Sequence, residues 1–62
     1  MFAERIRELR QARNLSEAAL DEIVGLMRGT VANWEHGFSQ PEDELIDDIA
    51  DYFKVSRSEL TA

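Results

Sequence analysis

The 62-residue sequence contains no cysteine, one proline and three glycines. The lack of cysteine excludes disulfides and thiolate zinc sites as supports for the fold. His36 is the only histidine, so a metal site built on a histidine pair is excluded within one chain. The chain has no run of about 18 apolar residues and does not open with a signal peptide. We therefore expect one small cytoplasmic domain over residues 1–62, with no metal, no cofactor and no membrane partner.

Basic residues are also scarce. Seven lysines and arginines are outnumbered by 13 aspartates and glutamates, and the net charge is −6. Residues 1–14 carry a net charge of +2, residues 15–40 carry −3, and residues 41–62 carry −5. Because DNA repels an acidic body unless the cations of that body lie on one face, this balance argues against a nucleic-acid partner.

Apolar residues recur at helical spacing along five segments, and no segment alternates with the period of a strand. The first three predicted helices cover 2–13, 17–24 and 28–35, and Ser16 is the N-cap of the second. A fourth helix has Pro41 in its first turn, and a short last turn holds Leu60. Ser56 and Glu59 have the spacing of a capping box for that last turn. The predicted core consists of Ile6, Leu9, Leu20, Val24, Val31, Trp34, Ile49 and Phe53.

The stretch from Leu15 to Gly37 carries the most information about function. Gly25 lies where one short apolar helix must end and reverse, because glycine enters the left-handed region without a Cβ penalty. A second short helix follows about three residues later, which is the arrangement of a helix-turn-helix. The second helix of such a unit reads the major groove of DNA.

With these residues in place, the chain resembles the Cro/phage-repressor helix-turn-helix family over nearly its whole length. The matching stretches are RIRELRQARNLS at 5–16, Gly25, RGTVANWEHG at 28–37, Pro41 and IADYFKVSRSEL at 49–60. The resemblance implies an all-α, compact five-helix lambda-repressor-like domain, with the helix-turn-helix formed by helices two and three. It also implies a structural ion pair between Arg10 and Glu35. No residue pattern indicates catalysis, so we expect a protein that is not an enzyme.

Several residues depart from the family pattern where DNA would bind. Glu17 occupies a place where the family commonly has a glutamine that holds a phosphate. Met27 occupies the place of a serine or threonine that caps helix three, and a methionine has no oxygen with which to cap. Asp21 occupies the place of a small alanine where helices two and three cross. These departures weaken the expectation of DNA binding.

A second apolar stripe favours a protein partner. Ala19 and Ile23 are one helical turn apart, and Met27 continues their line across the turn. Buried apolar anchors carry most of the energy of protein interfaces. We therefore predict a protein-binding module, natural or engineered, that contacts another protein chain. Its predicted binding face consists of Ala19, Glu22, Ile23, Leu26, Met27 and Thr30.

The alternative is a sequence-specific DNA-binding transcriptional regulator that acts as a homodimer on double-stranded DNA. In this interpretation helix three enters the major groove and the DNA-binding residues are Arg28, Thr30 and Asn33. Arg28 stands at the start of helix three and has the forked donors that match guanine. His36 lies at the other end of helix three, where an imidazolium would meet the helix dipole.

Overall fold

The apolar segments form five α-helices in the computed structural model, which describes residues 1–61 and has no strand in that range. The helices are α1 (Phe2–Ala12), α2 (Glu17–Val24), α3 (Thr30–Glu35), α4 (Asp43–Phe53) and α5 (Arg57–Thr61). They enclose one core within a body of 25 × 23 × 19 Å. The predicted all-α, five-helix fold is confirmed. No helix in the described residues is long and apolar enough to cross a membrane.

The core contains side chains from all five helices. The buried apolar residues are Ile6, Leu20, Val31, Trp34, Ile49, Ala50, Phe53 and Leu60. Leu9 and Val24, which periodicity placed in the core, are half-buried and pack against its edge. The reason is the small size of the molecule, because a domain of this length has few positions that are covered on every side.

The two ends of α2 have the capping chemistry that the sequence predicts. The Ser16 hydroxyl oxygen accepts a hydrogen bond from the Ala19 N–H at 3.0 Å. Gly25 adopts a left-handed conformation with φ 78° and ends the helix. The N–H groups of Gly25 and Leu26 then return to carbonyl oxygens of the last turn of α2. These contacts fix the direction in which the chain leaves α2 and approaches α3.

Two helices begin later than the sequence predicts. α3 starts at Thr30 rather than Arg28, because Gly29 has φ 92° and lies outside the helical region. α4 starts at Asp43, and Glu42 before it is extended with ψ 162°, so Pro41 precedes the helix instead of forming its first turn. Arg28 therefore lies in a turn in front of α3, which changes the geometry of the site described below.

The last short helix has the predicted capping box. The Ser56 hydroxyl oxygen accepts from the Glu59 N–H at 3.1 Å, and the Glu59 carboxylate accepts from the Ser56 N–H at 3.2 Å. This reciprocal pair satisfies two backbone donors at the start of α5. It holds Leu60 in the core, where this side chain is fully buried.

Candidate nucleic-acid interface

An ion-pair cluster of Arg7, Arg10 and Glu35 holds α3 against α1. The Arg10 guanidinium donates to the two carboxylate oxygens of Glu35, from Nε at 2.7 Å and from Nη2 at 2.9 Å. Arg7 donates to the same carboxylate at 3.3 Å and to the Glu35 carbonyl oxygen at 3.0 Å. Arg10 also donates to the Leu15 carbonyl oxygen at 2.8 Å, which ties the entry of α2 to the same cluster. Arg10 and Glu35 thus form the ion pair that the family resemblance implies.

The cluster keeps Glu35 ionised although its side chain is buried. Burial by itself opposes ionisation, but the hydrogen bonds and positive charge of Arg10, with those of Arg7, outweigh it and lower the pKa of Glu35. The hydrogen bond to Glu35 is the main cause that raises the pKa of Arg10. Both groups are therefore charged at neutral pH.

The outer side of α3 is short and polar. Val31, Trp34 and Glu35 point inward and are buried, whereas Asn33 is exposed. Thr30 is half-buried, and its hydroxyl donates to the Met27 carbonyl oxygen at 2.7 Å, so the hydroxyl oxygen keeps acceptor capacity only. His36 ends the helix in an exposed position, with its ring stacked on Phe38 at a centroid distance of 5.7 Å.

A buried carboxylate supplies the cap that Met27 lacks. Asp21 lies on α2 with only 4% of its surface exposed. Its Oδ2 accepts from the Gly29 N–H and its Oδ1 accepts from the Val31 N–H, both at 2.8 Å. Met27 is 83% exposed, and its side chain takes no part in capping. Sequence reasoning missed this contact, although a missing cap at 27 and an acid at the crossing of the two helices were both visible.

Arg28 is the one arginine in residues 1–61 whose side chain has no protein partner. Each of the others is held within the chain: Arg5 by Glu8, Arg7 and Arg10 by Glu35, Arg57 by Asp43 and Asp47, and Arg13 over the rings of Tyr52 and Phe53. The free guanidinium is exposed directly in front of α3.

Acidic side chains border this surface on two sides. Asp21, Glu22 and Arg28 line one surface hollow, together with Ala18 and Leu26. A second groove, between α3 and α4, has Glu42, Glu44 and Asp48 on its walls, beside Thr30 and Trp34. Neither side would attract a polyanion, whereas the turn before α3 carries the free positive charge of Arg28.

The predicted protein-binding face is less continuous than periodicity suggests. Ile23 and Met27 are exposed, at 47% and 83%. Leu26, in contrast, packs against the core and is not available as an anchor. Its burial follows from the turn, because the Leu26 N–H returns to the Asp21 carbonyl oxygen at 2.8 Å and keeps the chain close to α2. Ala19 and Thr30 are half-buried, and Glu22 is exposed.

Comparison with known proteins identifies the class. A helix-turn-helix family model matches residues 6–60, and the chain belongs to this Cro/phage-repressor-type family. The chain is similar to the restriction-modification controller protein C.AhdI from Aeromonas hydrophila, with a TM-score of 0.82 and 34% identity over 95% of this chain and 89% of that one.

Curated relatives agree with this class. The antitoxin PezA of Streptococcus pneumoniae is 36% identical over 56 residues, which are 90% of this chain and 35% of PezA. The transcriptional activator BcrR of Enterococcus faecalis is 32% identical over 59 residues, which are 95% of this chain and 29% of BcrR. The chain thus spans about a third of the length of these two relatives.

The family corrects the predicted function. Three of the curated relatives are named as transcriptional regulators, so the prediction of a protein-binding module is wrong and the DNA-binding alternative is better supported. One part of the error has a structural cause. The prediction counts Met27 and Asp21 as two separate departures from the family pattern, whereas the structure connects them. Asp21 caps α3 in place of the residue at 27, so the pair preserves the turn. The prediction of a non-enzymatic protein is confirmed for the matched domain, residues 6–60, by the same family.

Proposed function

We propose that the chain is a sequence-specific DNA-binding regulator of transcription, with α3 in the major groove of double-stranded DNA. The observation that carries the proposal is the free guanidinium of Arg28 in front of α3, in a chain whose other arginines have internal partners within residues 1–61. We propose a cytoplasmic location for it, because a DNA-binding regulator acts where the DNA is.

The three polar residues of this surface have different roles in the proposal. Arg28 donates in bidentate fashion to the O6 and N7 atoms of a guanine. Asn33 has an exposed amide that matches the N6 and N7 atoms of an adenine. The Thr30 hydroxyl donates its hydrogen bond to the Met27 carbonyl oxygen, so Thr30 accepts from a base amino group or packs its methyl group on a thymine.

The small size of the reading element supports a homodimer. α3 has six residues, and one such helix reaches only a few base pairs. Helix-turn-helix regulators enlarge their sites by placing two recognition helices about one turn of DNA apart. We therefore propose a homodimer that binds a palindromic site, and the stoichiometry of the complex with the selected duplex tests it.

Selection from a pool of random duplexes, at low and at moderate salt, tests the function. The full chain should enrich a shared motif, Arg28→Ala should abolish the enrichment, and Arg5→Ala should retain it. Arg5 is a matched control because its loss changes the net charge equally, while its guanidinium pairs with Glu8 on α1. If the folded wild-type chain enriches no motif at either salt concentration, the proposal is wrong.

A further inference from the structure

We propose that Asp21 is a positioning residue for DNA reading, because it caps α3 from the neighbouring helix and fixes the turn that carries Arg28. This inference rests on the proposed function. Asp21 is only 4% exposed, and both of its carboxylate oxygens already accept from backbone N–H groups. Its effect on DNA would come entirely through the backbone it holds.

The turn is held on both sides of Arg28. On one side, the Met27 carbonyl oxygen accepts from the Thr30 N–H at 3.1 Å and from the Thr30 hydroxyl at 2.7 Å. On the other side, the Gly29 N–H donates to Asp21 at 2.8 Å. The two peptide groups that flank Arg28 are therefore fixed, and only its side chain remains free to select a base.

No residue of the turn itself replaces Asp21. Gly29 is the N-cap of α3 and has no side chain, and Met27 has no oxygen in its side chain. An aspartate offers two acceptor oxygens, and the structure uses both, on the Gly29 and Val31 N–H groups. An asparagine offers one oxygen and turns an NH₂ group toward the second N–H, whereas an alanine leaves both donors without a partner.

Discrimination between two duplexes separates positioning from plain electrostatics, because the loss of one charge changes the affinity for both duplexes alike. Removing an acid near the interface should tighten binding to a polyanion if charge alone matters. Glu22 is the matched control, since it neighbours Asp21 on α2 and lines the same hollow beside Arg28. Its exposed side chain makes no hydrogen bond or ion pair with the described part of the chain. Glu22→Ala therefore removes one charge without removing the cap.

The experiment compares Asp21→Ala, Asp21→Asn and Glu22→Ala with the wild-type chain at a temperature where each is folded. Affinity is measured for the selected duplex and for an unrelated duplex of equal length. Asp21→Ala should lose at least about five-fold in discrimination between the two, the lower end of what one arginine–guanine pair contributes. Asp21→Asn should lose less, and Glu22→Ala should tighten binding to both duplexes without changing their ratio. Unchanged discrimination in folded Asp21→Ala would overturn the inference.

Amide hydrogen exchange gives a second readout that does not require DNA. The Gly29 and Val31 N–H groups should lose protection in Asp21→Ala, one of them should lose it in Asp21→Asn, and neither in Glu22→Ala. If the wild-type chain binds no duplex selectively, the proposed function fails, while the exchange data still decide whether Asp21 holds the turn. Unchanged protection of both amides in the Asp21 variants would reject the cap itself.

If Asp21→Ala does not fold, Asp21→Asn and one additional variant test the inference. Asp21→Asn retains one of the two acceptors, and its discrimination decides the case. Met27→Ser in the Asp21→Ala background offers a hydroxyl oxygen two residues before the Gly29 N–H, within reach of a local side-chain–backbone bond. Recovery of discrimination between the selected and the unrelated duplex in this double variant supports positioning. A fully folded double variant that binds the two duplexes equally well contradicts it.

Discussion

At the scale of single residues, Glu35 is the side chain on which the placement of α3 depends most. It is 5% exposed and accepts from two arginines of α1. Glu35→Gln would leave the Arg10 guanidinium, itself largely buried, without its counter-charge. We expect a loss of about 3–5 kcal/mol in the free energy of unfolding at neutral pH, because breaking a buried pair leaves one charge uncompensated.

Urea unfolding measures this loss, and Glu8→Gln is the control. Glu8 pairs with Arg5 on the surface at 3.3 Å, and exposed pairs of this kind contribute about 0–1 kcal/mol. Equal effects of the two substitutions would show that the cluster behind α3 does not hold the helix.

The lowered pKa of Glu35 also predicts a pH dependence. The group is ionised more easily in the folded chain than in the unfolded one, whose pKa is near the ordinary value of 4.5. Its contribution to stability is therefore present above pH 4.5 and is lost as the pH falls through the lower folded-state value. The difference in unfolding free energy between the wild-type chain and Glu35→Gln should be constant near neutral pH and shrink below pH 4.5. A difference that stays constant into strong acid would contradict this.

At the scale of elements, two helices end in left-handed residues of different kinds. Gly25 ends α2 with φ 78°, and Lys54 ends α4 with φ 59°. We expect opposite effects from opposite substitutions. Gly25→Ala should cost about 1 kcal/mol, because an L-residue is strained there, and Lys54→Gly should gain up to about 1 kcal/mol by removing that strain. Thermal unfolding of the two variants tests the pair, and a stabilised Gly25→Ala would contradict it.

The helices themselves could be predicted well because their signals are local. Ser16, Gly25 and the pair Ser56–Glu59 are caps that act within a few residues, and apolar periodicity identifies the buried faces. The start of α3 could not be predicted in the same way. It depends on Gly29 and on Asp21, which is eight residues earlier on another helix, and no local pattern reports a contact between helices.

The candidate site was predicted in part for the same reason. Arg28, Thr30 and Asn33 could be selected from the sequence because of their polar chemistry and the resemblance. Only the coordinates show that Arg28 is the one unpaired arginine of residues 1–61. The other arginines have partners that the folded chain brings within reach. From the sequence alone, Met27 and Asp21 are two departures that weaken the expectation of DNA binding. The sequence does not show that Asp21 supplies the cap that Met27 lacks.

At the scale of the whole molecule, the net charge of −6 limits how the chain can hold DNA. With one free arginine beside α3, each chain should bring about one positive charge into the groove and release about one condensed counterion, so the logarithm of affinity should fall with the logarithm of salt with a slope of about −2 for a dimer. Arg28→Ala should flatten this slope by about one per chain. Titrations of the selected duplex over a range of salt concentrations measure it, and a slope near −8 would contradict the charge distribution described here.

The internal pairing of the arginines has a consequence for how such a regulator would search a genome. Basic DNA-binding proteins spend most of their time bound non-specifically to random DNA sequence. This DNA competes with the specific site for the protein, and the protein slides along it. This chain uses five of its six arginines to hold its own helices and rings. Most copies would remain free in solution and would reach their site by diffusion in three dimensions, so occupancy of the site would follow the number of copies in the cell closely.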